Sequence, residues 1–149
     1  MLEDIDENSR EELKRADHLL YVSLKYTRTA DVIKNTIKRL ISAYNFAIFD
    51  ALTYLKKKKK IKEIPVVPNL RAEALQKLLP AFKNDIKFYF LLKEIDKAEY
   101  SKKEEYRKNV ALLAHIGHGE VMEVSTAVLK EYYERTVAFV ETIDVMMKK

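Results

Sequence analysis

Three groups of side chains in this sequence have the types and spacing that chemistry uses. His115, His118 and Glu120 form an H-x-x-H-x-E run, two imidazoles and a carboxylate that can ligate a divalent cation if a turn projects them to one side. The histidines straddle that turn, however, and neither has an identifiable partner to orient its ring. An exposed turn histidine and one half-buried ring explain the run without a metal, so no metal and no cofactor are expected. Arg107 and His115 are the one basic pair resembling a metal-free ribonuclease site, in which a histidine activates the sugar hydroxyl and an arginine holds the phosphate. No third catalytic group accompanies them, which favours a surface arginine and a histidine near a turn. Lys56, Lys57, Lys58, Lys59 and Lys60, followed by Lys62, are the densest charge in the chain. Five adjacent lysines pass around the whole circumference of a helix, which suits contact with the phosphates of RNA and does not suit base reading. They also complement the dipole at a helix C-terminus, so a solvated end that binds nothing has the same composition.

The missing residue types narrow the chemistry further. Without cysteine there is no disulfide frame, zinc ribbon or thiol nucleophile, and two glycines, Gly117 and Gly119, cannot build a phosphate-cradling loop. The 28 Lys and Arg against 23 Asp and Glu leave a net charge of +5, which permits a polyanionic partner without demanding one. The acidic start MLEDIDENSREE is unlike a secretory signal, and no apolar run approaches the ~20 residues that span a bilayer, so a cytoplasmic protein with no membrane partner is expected. The lack of Cys and Trp, with abundant Lys, Glu, Ile and Tyr, resembles thermophile composition.

The elements that must position these groups are mainly helical. At 149 residues, 48% of them apolar, the chain suits one domain (1–149) with one core. Three prolines and two glycines supply too few turns for a sandwich, barrel or doubly wound sheet. Ser9 and Glu12 have the spacing of a capping box ahead of a helix over about residues 10–26, which carries Leu13, Ala16, Leu20 and Leu24 inward, with Leu19, Val22 and Tyr26 widening the face. A break is expected at Tyr26-Thr27-Arg28-Thr29. Ile33, Ile37, Leu40, Ile41, Tyr44, Ile48, Leu52 and Leu55 then recur in steps of three and four, predicting one long central helix whose Leu40, Ile41, Ile48 and Leu52 bury against the last helix. Asn45 and Asp50 beside that stripe suit a buried polar network or an interface. Pro65 and Pro68 stop the helical pattern, Asn69 can cap a short third helix that Pro80 ends, and Phe82, Ile86, Tyr89, Phe90, Leu92 and Ile95 predict a fourth over about 82–97.

Ser101 and Glu104 repeat the capping-box spacing ahead of a short helical turn through Arg107. VALLAHI-GHGE-VMEVS reads as a small β-hairpin near 110–124, with His118-Gly119 in the turn, Gly117 opposite Glu120, Ile116 facing Val121 and His115 facing Met122. A buried helix over 105–116 is the competing reading, since periodicity does not separate the two in so short a run. Ser125 or Thr126 caps the last helix, with Leu129, Tyr132, Tyr133, Val137, Val140, Ile143 and Met147 inward. The nine tyrosines suit core margins or a dimer seam without a ligand.

The run ADHLLYVSLKYTRTADVIKNTIKRLISAYNFAIFDALTYL, followed by FYFLLKEIDKAEYSKKEEYRK and a final long helix, resembles the HEPN superfamily of small helical bundles in layout over about 120 residues. The resemblance implies a homodimer through helices that acts on or with RNA. The superfamily's catalytic arginine and histidine lie four to six residues apart, whereas here seven residues separate Arg107 from His115, seven separate Arg10 from His18 and two separate Arg15 from His18. The resemblance therefore implies a noncatalytic or divergent member. LLAHIGHGEVMEV is also similar to the signature helix of ribonuclease III domains, with His118 where that signature needs a carboxylate. The leading expectation is a noncatalytic RNA-binding or RNA-associated accessory module that uses Lys56 to Lys60 and Lys62. The rivals are a metal-independent ribonuclease using Arg107 and His115, and a protein-interaction subunit whose lysines keep it soluble.

Overall fold

A computed structural model describes residues 2–149, with side chains from residue 8 onward, and shows a mainly helical chain carrying one small sheet. Helix α1 (Leu2–His18) passes through a single π turn (Leu19–Ser23) into α2 (Leu24–Thr27), and along this stretch Val22 and Tyr26 face solvent and do not widen the buried face as their spacing suggested. It begins well before residue 10, so Ser9 and Glu12 do not form a capping box. Both lie inside the helix and are buried, at 3% and 5% exposure. The Ser9 hydroxyl donates to the Ala43 carbonyl at 3.4 Å, and the Glu12 carboxylate accepts from Arg15 and Arg39. A tertiary partner has replaced the local backbone bonds that the spacing suggested.

The expected break is present. Arg28 ends α2 in the left-handed region (φ 50°), and Thr29 caps α3 (Ala30–Lys57) by accepting from the Val32 amide at 3.3 Å. The 28 residues of α3 span about 42 Å and bury Ile33, Ile37, Leu40, Tyr44, Ile48, Leu52 and Leu55. Ile41 is only half-buried, because it sits one step around the helix from Leu40 and faces the margin of the core. After the extended segment around Pro65, α4 (Pro68–Leu78) starts on Pro68 itself, whose missing amide costs nothing at a first helical position. Asn69 is therefore no cap, and its side-chain oxygen accepts instead from Lys93 Nζ at 2.5 Å. A 3₁₀ turn (Pro80–Phe82) leads into α5 (Lys83–Lys97), where Phe88 is buried and Phe90 only half so.

Residues 99–125 hold the sheet, and here the chain departs most from expectation. Instead of a capped helical turn, β1 (Glu99–Lys103) pairs antiparallel with β2 (Ala111–Gly117), which pairs with β3 (Glu120–Ser125). Ser101 lies in the middle of β1, and Glu104 follows in the left-handed region (φ 49°), so neither caps a helix. The hairpin prevails over the helical alternative at 110–124, with His118 (φ 52°) and Gly119 (φ 76°) forming its turn. Gly117 does face Glu120. A bulge between His115 and Gly117 then places His115 opposite Val121 and Ala114 opposite Met122, one residue away from the unbulged register.

Leu112, Ala114 and Val124 point into the core, while Ser101, His115, Val121 and Glu123 face outward. Ser125 caps α6 (Thr126–Met147) by accepting from the Val128 amide at 3.2 Å. The centre of the core is aromatic. Tyr44 stacks on Phe139 at 4.7 Å, Phe82 meets Phe139 edge-on at 5.5 Å, and Phe88 meets Tyr132 at 5.1 Å. Phe139 and Thr136 are the buried α6 residues outside the expected stripe, while Val137, Tyr133 and Met147 are half-buried.

Candidate nucleic-acid interface

The lysine run begins on α3 and leaves it within two residues. Only Lys56 and Lys57 are helical. Lys58 closes the helix, donating its amide to the Tyr54 carbonyl at 3.1 Å, and Lys59 adopts φ 61°. The Lys60 amide returns to the Leu55 carbonyl at 2.9 Å and the Lys59 amide to Lys56 at 3.0 Å, the paired bonds of a Schellman cap. The lysines therefore do not ring a helix, contrary to the expectation from their adjacency. They fan out from a tight reversal.

Lys59 occupies the position where glycine is the usual residue, and a left-handed backbone costs a side-chain-bearing residue about 1–2 kcal/mol. All of Lys56 to Lys60 and Lys62 are exposed, and none of the six joins an ion pair among the described residues. Lys58 Nζ lies 5.6 Å from the centre of the Tyr54 ring, the one aromatic contact in the group. The result is a concentrated positive end where the α3 dipole is negative, with its charges directed to solvent.

Arg107 and His115 are kept apart. Arg107 is exposed in the loop 104–110, beyond the end of the ladder where Lys103 pairs with Ala111, whereas His115 pairs with Glu99 at the other end. Four residue steps, about 13 Å of β2, separate Ala111 from His115. His115 Nε2 instead meets Ser101 Oγ at 2.8 Å on the outer face of the sheet, where both are open to solvent. His118 lies in the hairpin turn and Glu120 starts β3, and among the described residues no three His, Cys, Asp or Glu side chains gather to hold a metal.

The loop after β1 has a structural task. Glu105 Oε2 accepts from the Ala30 amide at 2.8 Å, the Tyr106 amide donates to the Arg28 carbonyl at 2.7 Å, and Lys102 lies 3.5 Å from both Asp31 and Glu105. Tyr100 donates to Asp31, and this bond holds the Asp31 carboxyl below its ordinary range while raising the Tyr100 phenol. These contacts fasten the sheet to the start of α3. Of the two polar residues beside the α3 stripe, Asn45 accepts from the Tyr89 hydroxyl at 2.5 Å, and Asp50 is buried at 8% exposure. Burial pushes the Tyr89 phenol up to about 12 and raises Tyr44 further still.

Sequence reasoning missed a second basic locus. Lys14, Arg15, His18 and Leu19 line a shallow cleft of about 370 Å³ together with Arg39 from α3. The spacing of Arg15 and His18 along one helix is visible in the sequence, but only the packing of α1 on α3 brings Arg39 to them. Compared with known proteins, the chain matches no family model, no curated protein and no solved structure. No helix among the described residues is long and apolar enough to cross a membrane.

Proposed function

We propose that this protein is a noncatalytic RNA-binding module that holds the phosphate backbone with Lys56, Lys57, Lys58, Lys59, Lys60 and Lys62. One observation carries the reading: six exposed lysines are crowded at the end of α3 without an acidic partner among the described residues, and one of them sits at a left-handed position that disfavours it. Lysines on a solvated reversal contact phosphates as mobile point charges, which gives affinity with little sequence preference. The layout resemblance to HEPN bundles fits an RNA-associated role, and a homodimer through helices would present two such ends. The separation of Arg107 from His115 supports a binding role over cleavage.

The test is the binding of labelled single-stranded RNA by fluorescence anisotropy across a salt series. Replacing Lys56 to Lys60 together by Gln should flatten the log–log salt slope by roughly three units, at about 0.7 per lost phosphate contact. Retained affinity and slope would refute the reading. The rival ribonuclease reading predicts cleavage in metal-free buffer that His115→Ala abolishes; no cleavage above background is expected.

A further inference from the structure

We infer that the cleft between α1 and α3 binds the phosphate group of a phosphate monoester, at a site separate from the lysine reversal. Glu12 is almost fully buried, at 5% exposure, and its carboxylate faces two guanidinium groups from different helices. Arg15 Nη1 donates to Glu12 Oε1 at 2.6 Å, and Arg39 Nη1 donates to Glu12 Oε2 at 3.3 Å. One carboxylate thus holds two cations beside each other and neutralises only one.

Each guanidinium contributes a single nitrogen to Glu12. An arginine carries five N–H donors, so the Nε and Nη2 edges remain for another acceptor, and the two side chains are 55% and 45% exposed at the cleft. Lys14 adds a third cation, and its acidic neighbour Glu11 is a solvent-screened partner 3.7 Å away. His18 supplies a ring nitrogen, and Leu19 gives the cleft its apolar lining.

The chemistry of the lining selects the ligand. A single carboxylate satisfies one guanidinium fork, as Glu12 already does in part. A phosphate monoester carries close to two negative charges and three terminal oxygens, enough acceptors for Arg15, Arg39 and Lys14 together. Arginine's planar fork is matched to such oxygens. The volume of about 370 Å³ suits a phosphate with a small organic part, which would rest against Leu19. Arg39 and Lys57 lie 18 positions apart on α3, about 27 Å along the helix, so one phosphate cannot touch both loci. The proposal therefore does not depend on RNA binding by the lysines.

The experiment follows the melting temperature of the whole protein with inorganic phosphate against chloride at matched ionic strength. At tenfold over the dissociation constant, phosphate should raise it by about 3–6 °C. Arg39→Gln should remove the rise. Because that change also takes a partner from Glu12, Lys14→Gln serves as the second variant; it leaves both Glu12 bonds in place and should weaken phosphate binding severalfold.

The protein with Lys56 to Lys60 replaced by Gln should keep the full response, which separates failure of this proposal from failure of the RNA reading. Single-stranded RNA with a 5′-phosphate or a 5′-hydroxyl then distinguishes the source. Tighter binding of the phosphorylated strand that is lost in Lys14→Gln assigns the cleft to RNA ends, whereas equal binding beside a phosphate response assigns it to free phosphate esters. No rise over chloride, or a rise that persists in both Arg39→Gln and Lys14→Gln, overturns the proposal.

Discussion

Replacing Lys59 by glycine separates what that residue costs the fold from what it contributes to binding. Its φ of 61° lies in the left-handed region, where a lysine is strained by about 1–2 kcal/mol and glycine is not. Glycine also makes the unfolded chain more flexible, which offsets about 0.5–1 kcal/mol of that gain. The two Schellman hydrogen bonds, from Lys60 to Leu55 and from residue 59 to Lys56, use backbone atoms and survive the change. Lys59→Gly should therefore be more stable by roughly 0.5–1 kcal/mol, which raises the melting temperature of a domain this size by about 1–4 °C.

If the lysine contacts phosphate, the same variant should bind single-stranded RNA more weakly and flatten the log–log salt slope by about 0.7. Calorimetry and anisotropy on one protein preparation read both effects. A destabilised variant would refute the assignment of a left-handed cap at residue 59. A stabilised variant with an unchanged slope would refute the phosphate contact and leave Lys59 as a strained residue without a role in binding.

Phe139→Ala should destabilise the protein by about 3–5 kcal/mol in urea unfolding, because its ring is fully enclosed between Tyr44 and Phe82; a loss under 1 kcal/mol would contradict that packing. Glu105→Ala takes the carboxylate from the Ala30 amide and should cost about 1 kcal/mol, with faster hydrogen exchange confined to the first turn of α3; uniform exchange along α3 would speak against a local cap. Alkaline pH should destabilise the fold through Tyr89. Tyr89 titrates at about 12 in the folded chain and near its ordinary value of about 10 when unfolded, so its contribution is fully present below pH 10 and is lost as pH rises toward 12. The urea midpoint should fall between pH 9 and 11.5, and Tyr89→Phe should lessen that fall; an identical fall in the variant would assign the effect elsewhere.

Helical identity could be read from the sequence wherever a long apolar stripe left no alternative. The steps of three and four from Ile33 to Leu55 admit only a helix with one buried face, so α3 followed from local pattern. The glycines around His118 allowed a tight turn, whereas the choice of hairpin over helix was made by the pairing of β2 with β1 and β3. The lysine run was equally plain, since charge density needs no fold to be recognised.

Tertiary structure decided the residues whose local options were balanced. Ser9 and Glu12 had the spacing of a cap, but burial against α3 gave them partners in Ala43, Arg15 and Arg39, and the helix continued through them. Ser101 likewise had cap spacing and became a strand residue, because β2 offered a ladder to pair with and Asp31 offered an anchor for Tyr100. The cap at Lys59 and the meeting of Arg39 with Arg15 were likewise beyond sequence spacing. A capping motif is worth about 1 kcal/mol, less than the burial of a helix face or the pairing of a strand, so such motifs report intent only where no distant surface competes. Both basic loci owe their geometry to that competition: α3 ends where its apolar stripe ends, and the cleft exists because one buried carboxylate joins two helices that lie 27 residues apart at the point of contact.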